Sequence, residues 1–191
     1  MKLLLLLLLS SWLYAQTPQN HQAYREVYLL SLEAFENAST VKDKKEAAWV
    51  LAQLYKAGKG VTKDETKALK WFKRAAKYGS VKSQEYLISY YFSVRNDWEK
   101  GAFWAFKAAK NGSDLGMSSL GLFFEQAGDY EKAAKWYQKG AESKGPNSMF
   151  YLALMYHKGV WYHKDEIKAL FWFKKASLLG HKKAQTYLST P

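Results

Sequence analysis

Four histidines, His21, His157, His163 and His181, are the side chains of this sequence best suited to ligate a metal or move a proton near neutral pH. His157 and His163 flank one turn, and Asp165 follows them closely enough to complete a ligand set in principle. No pair of histidines at i, i+4 with a glutamate between them exists, and spacing fixes no third ligand. The serines are scattered, and none sits in the Gly-x-Ser-x-Gly pattern that raises a nucleophile on a sharp turn. Gly58-Lys59-Gly60 lacks the lysine and serine that follow a phosphate-cradling loop. The chain has 0 cysteines, which removes thiol catalysis, disulfides and cysteine–zinc sites. These residues predict no catalytic centre, no metal and no cofactor.

Binding is the remaining chemistry, and composition limits its form. The 191 residues carry a formal charge of +12 and are 48% apolar, enough for a sizeable core. A basic balance suits nucleic acid, an anionic membrane, an anionic polymer or an acidic protein, and lysines solvating helix faces would produce it as well. Residues 1–15 narrow the choice. Met1-Lys2, the run Leu3 to Leu9 and the small residue Ala15 describe a secretory signal peptide, with Gln16 as the first mature residue. The run is shorter than the roughly 20 apolar residues of a membrane span. A periplasmic or secreted protein is expected, with no stable membrane span after cleavage and no nucleic-acid partner.

The elements that would position a binding surface repeat. Lys67-Ala68-Leu69-Lys70-Trp71-Phe72 returns around Trp104, Trp136 and Trp172, and Gly79, Gly112, Gly145 and Gly180 close the four blocks. A second motif alternates with the first: Ala47/Leu51/Tyr55, Ser83/Leu87/Tyr91, Gly116/Leu120/Phe124 and Ser148/Leu152/Tyr156, with Ala184/Leu188 opening a fifth copy. Spacing of four places each set on one helical stripe. The sequence therefore divides into a capping helix within 16–46, repeats at 47–82, 83–115, 116–147 and 148–183, and a partial repeat at 184–191. Each repeat reads as helix A, turn, helix B. In the first turn Gly58 and Gly60 permit left-handed backbone, Val61 tucks inward and Asp64 caps the next helix. The fourth turn places Trp161-Tyr162 where Gly60-Val61 stand in the first. The second and third turns shorten to Arg95-Asn96-Asp97 and Ala127-Gly128-Asp129.

These motifs resemble the Sel-one-like repeat family, a relative of the tetratricopeptide repeat, over residues 47–191. The resemblance implies an all-α fold: a right-handed α-α superhelical solenoid of helix-turn-helix repeats with a concave surface. It also implies an adaptor or scaffold rather than an enzyme. In related repeats helix A lines the concave face, which makes Trp49, Tyr86, Phe92, Phe150 and Tyr151 candidate partner-binding anchors, packing between repeats being their alternative role. Trp161 and Tyr162 join them on the fourth turn. The expected function is an exported protein–protein interaction module whose partner is a protein, acidic in one reading. Immunity against an exported toxic effector is a specific form of it, by analogy. Attachment of the basic surface to anionic envelope polymers is the alternative, and an envelope hydrolase has no supporting motif.

Overall fold

The computed structural model describes residues 21–189, so the expected signal peptide at 1–15 lies outside the described residues. Among the described residues every regular element is a helix. The helices are α1 (His21–Glu36), α2 (Val41–Ala57), α3 (Glu65–Lys77), α4 (Val81–Ser89), α5 (Trp98–Lys110), α6 (Asp114–Gln126), α7 (Tyr130–Glu142), α8 (Pro146–Lys158), α9 (Glu166–Leu178) and α10 (Lys182–Ser189). A π-helical turn, Tyr90–Val94, prolongs α4. None of these helices is long and apolar enough to cross a membrane. The contacts divide the chain into two compact units, one ending at Tyr86 and the other beginning at Leu87.

One corner recurs in all four repeats. Asp64, Asp97, Asp129 and Asp165 each cap helix B, their carboxylates accepting from the backbone N–H of Lys67, Lys100, Lys132 and Lys168 at 2.8, 3.0, 3.1 and 2.9 Å. The N–H of each aspartate donates backwards to the carbonyl of the aromatic that ends helix A: Tyr55, Tyr91, Phe124 and Tyr156, at 2.9–3.0 Å. Each lysine also pairs with its aspartate, with Nζ–Oδ2 distances of 3.4, 2.6, 2.6 and 3.2 Å. The same Nζ sits 5.3–5.9 Å from the centre of that aromatic ring. Aromatic, aspartate and lysine thus fasten the end of one helix to the start of the next, whatever the length of the turn between them.

The repeats share a second device. Phe72 stacks on Tyr86, Tyr137 on Tyr151 and Phe173 on Tyr187, with ring centres 3.8, 5.2 and 4.0 Å apart. Phe72, Tyr137 and Phe173 are fully buried, whereas the tryptophans before them, Trp71, Trp136 and Trp172, are only half-buried. The repeated tryptophan marks the register, and the aromatic after it fills the core. Repeat two differs: the positions of the pair hold Ala105 and Ser119, both buried, and Trp104 is buried there instead. The small stripe residues Ala47, Ser83, Gly116, Ser148 and Ala184 are all buried. A Cβ on Gly116 would stand 2.6 Å from the Ala109 nitrogen, so helices α5 and α6 approach on the absence of that atom.

The block-closing glycines need one correction. Gly79, Gly112 and Gly180 take the left-handed conformation, but in the third block Lys144 does so at φ 61° and Gly145 has φ −77°. Gly145 serves a different purpose. Asp114 reaches across one repeat to accept from the N–H groups of Asn147 and Ser148 at 2.8 and 3.0 Å, and from the Ser148 hydroxyl at 2.5 Å. Any Cβ on Gly145 would collide with that carboxylate.

Each unit has its own core. In the first, Tyr24 and Val27 of α1 meet Leu54 and Val61, with Tyr28 and Tyr55 against them. In the second, Tyr137, Phe150, Leu152, Met155 and Phe173 centre a cluster that extends to Ala184. Truncating a fully buried ring removes both its transfer free energy and its contacts. Tyr137→Ala is expected to lower stability by about 3–5 kcal/mol in urea unfolding. The exposed neighbour Tyr130→Ala is expected to stay within about 0.5 kcal/mol.

Candidate binding pocket beside the fourth turn

The first helices of repeats three and four, α6 and α8, lie against each other. Between them opens a cavity of about 190 Å³ lined by Leu122, Glu125, Tyr151, Leu154, Met155, Lys158 and Val160. Helix spacing explains the wall: Tyr151, Leu154, Met155 and Lys158 follow one another at three, one and three residues along one side of α8. Glu125 is the acid in this apolar wall, and its Oε2 accepts from the Tyr137 hydroxyl at 2.9 Å. Burial, followed by the neighbouring Glu125 charge, drives the Tyr137 phenol far above its usual range, and the same causes raise Tyr151. Both phenols are therefore fixed as neutral hydrogen-bonding groups at any physiological pH.

Val160 carries the pocket wall onto the fourth turn, and Trp161 follows it. Trp161 is 56% exposed and holds φ at 67°, a conformation that side chains other than glycine rarely take. The same position in the first turn is Gly60, at φ 68°. There a Cβ would strike the backbone of Tyr24 and Arg25 in α1, so glycine is required for both its backbone angle and its lack of volume. The fourth turn keeps the backbone angle and replaces the glycine with an exposed indole. Tyr162, at the Val61 position, stacks on Tyr156 with centres 4.5 Å apart and is half-buried.

The other anchors named from the sequence fall into several environments. Phe150 is 8% exposed and stacks on His181 at 4.4 Å, so it is core and offers a partner nothing. Its place in α8, beside the fully buried Phe173, turns it inward. Tyr86 and Tyr151 are stacking partners of the core rings, and Tyr151 keeps an edge on the pocket. Phe92 packs on Trp98 at 5.0 Å, over the space that Gly101 leaves open. Trp49 is half-buried, with Lys82 Nζ 5.0 Å from its ring centre. Leu122, Glu125 and Leu154 were missed in the sequence, because only the apposition of two helices distant in the chain makes them a pocket.

Two of the four histidines, His157 and His181, serve local structure. Glu166 Oε2 and the Tyr187 hydroxyl both lie 3.0 Å from His157 Nδ1. His163 is exposed, and Asp165 is committed to its cap. His181 Nδ1 accepts from the Ala184 N–H at 3.2 Å at the start of α10. Among the described residues no three His, Asp or Glu side chains gather as metal ligands would.

Helix pairs with one recurring corner, stacked through buried rings at a fixed register, define an α-α repeat protein of the solenoid class. The chain belongs to the Sel1 repeat family, whose pattern matches residues 45–80, 86–113, 115–144 and 146–181. Such repeats are in general protein-interaction modules. The structure is similar to the crystal structure of a Sel1 repeat protein from Oxalobacter formigenes, with 26% identity and a TM-score of 0.71 over 88% of this chain. It is also similar to c5321, a protective antigen present in uropathogenic Escherichia coli strains displaying an SLR fold, with 25% identity and a TM-score of 0.63 over 86% of this chain. The chain spans 66% and 40% of the lengths of those two proteins. No curated protein matches it.

Two outcomes test the local physics. Trp161→Gly is expected to raise stability by about 1 kcal/mol, read from urea unfolding, because it relieves a left-handed backbone at a half-exposed side chain. The second concerns pH. Burial holds the His181 imidazole below its ordinary 6.5, so its contribution is complete above about 6.5 and is lost as pH falls through the lower folded value. Melting temperature is expected to fall with acidification through that range in the natural chain and to fall less in His181→Gln.

Proposed function

We propose that the chain is an exported binding module that holds a protein partner at the α6–α8 pocket and the Trp161 turn. The observation that carries the reading is the strained, exposed indole beside an apolar cavity with one carboxylate in its wall. Backbone strain at an exposed position has no value for folding, and a large aromatic next to a recess is the usual form of an interface anchor. In this reading an apolar side chain of the partner enters between Leu122, Leu154 and Val160. Glu125 accepts a hydrogen bond from a partner N–H, and Lys158 at the rim meets a partner carboxylate. The excess of lysine steers an acidic partner toward the site and sets the association rate more than the affinity.

Export rests on the Leu3–Leu9 run and the small residue at Ala15, and it places the module in the periplasm or outside the cell. N-terminal sequencing of the processed protein is expected to begin at Gln16. Neutralisation of an exported toxic effector is the narrower form of the reading. It requires that the captured partner be toxic and that the chain protect cells from it.

The test is capture from envelope extract by the natural chain, Trp161→Gly and Glu125→Gln, compared by quantitative mass spectrometry. Glu125→Gln keeps an acceptor for Tyr137, and Trp161→Gly leaves the fold intact, so neither loss would reflect unfolding. A specific partner is expected to drop about tenfold or more with Trp161→Gly. Equal capture by all three proteins would remove the pocket from consideration. Capture abolished by moderate salt alone would favour attachment to anionic envelope polymers instead.

A further inference from the structure

Helix α9 shares its buried face with α3 and α7 and differs from them on the outside. Ala169, Phe173 and Ala176 are buried. On the opposite side Ile167, Leu170, Phe171 and Leu178 face solvent, with Ile167 83% and Leu178 86% exposed, and Leu179 lies just beyond. At about 100° per residue these four and Lys174 fall within an arc of about 100°, centred away from the core. The same register positions in α7 are Glu131, Ala134, Lys135 and Glu142, of which Ala134 is buried and the other three are charged and exposed, while α5 carries one exposed ring at this register, Phe103. An apolar stripe on positions of which three hold charges two helices earlier indicates a contact.

We propose that this outer face of α9 docks on an anionic lipid surface, with Ile167, Leu170, Phe171 and Leu178 entering the headgroup region. Charge complementarity carries the choice of occupant. Lys174 lies within the stripe and Lys175 at its edge, with Lys175 Nζ 4.3 Å from the Phe171 ring centre, and the exposed Lys182 and Lys183 follow in the chain. The nearby acids are engaged: Asp165 with Lys168, and Glu166 with His157 and Lys164. A second copy would pair the face with itself and bring Lys174 of both chains together at the centre. Ile167, Leu170, Phe171 and Leu178 are exposed along a single helix, which suits a deformable interface better than a shaped protein groove. A helix of 13 residues lies in such an interface and does not cross it. This docking goes beyond partner capture at the pocket, which uses α6, α8 and the fourth turn.

The absence of cysteine permits a direct test. An environment-sensitive dye is attached to full-length Leu178→Cys and, as a control, to Gln138→Cys on the exposed side of α7. Vesicles of phosphatidylcholine with phosphatidylglycerol are expected to shift the emission at position 178 to the blue and raise it several-fold. The dye at 138 is expected to stay unchanged, and so are both dyes on pure phosphatidylcholine. Ile167→Ser combined with Phe171→Ser is expected to lower the response at 178 about tenfold with an unaltered circular dichroism spectrum. The Leu3–Leu9 segment is common to every variant and does not report at position 178. Three results would overturn the proposal: vesicle binding with a silent dye at 178, a shift that depends on protein concentration without vesicles, or a shift with polyglutamate but none with lipid. The second would assign the face to a second copy and the third to an acidic protein.

Discussion

The fold depends on one residue used twice. In every repeat an aspartate donates its backbone N–H to the carbonyl of the stripe aromatic near the end of the first helix and offers its carboxylate to the first turn of the second. The two helices are thereby joined at a point, and the loop between them carries none of the alignment. That is why turns as different as Tyr55–Asp64 and Phe124–Asp129 enter the next helix in the same register. The lysine three residues on closes the arrangement by resting over the same aromatic ring. The carboxyl groups of all four aspartates are held below their ordinary range by hydrogen bonds from those lysines, so the corner persists until well into acid.

A corner fixed in this way frees the rest of the turn for other uses. In the first repeat the turn is a seat for α1, and Gly60 is there because a helix backbone presses on it. In the fourth, no such constraint acts on Trp161, and the position carries a large exposed ring while keeping the backbone angle of the glycine. The outward positions of the second helices are equally free. They hold charges on α7 and apolar side chains on α9. Binding character collects on the parts of each repeat that the aspartate and the buried ring do not need.

Much of this was legible in the sequence because repetition makes register visible. The alternation of the two motifs gave the helix pairs, and Asp64 identified itself as a cap by its place before a helix. The recurring tryptophan was more misleading. It is the most conspicuous residue of each block, yet the ring behind it, Phe72, Tyr137 or Phe173, fills the core, because the buried centre of the helix lies 100° further round. Phe150 was open to either role, anchor or packing between repeats, because the stripe at spacing four describes one face of α8 while burial there runs through Ser148, Met149 and Phe150. The pocket was not legible at all. Glu125 and Leu154 are unremarkable in their own helices and acquire meaning only where α6 meets α8.

Repeat two stands apart, with Ala105 and Ser119 where its neighbours place a stacked pair of rings. A phenylalanine at 105 would arrive among neighbours fitted to a methyl group, and a tyrosine at 119 would find no ring to lie against. Trp104 is the large buried ring of this helix instead. Restoring the common pattern would therefore take a paired exchange at 105 and 119, since either ring alone would lack its stacking partner.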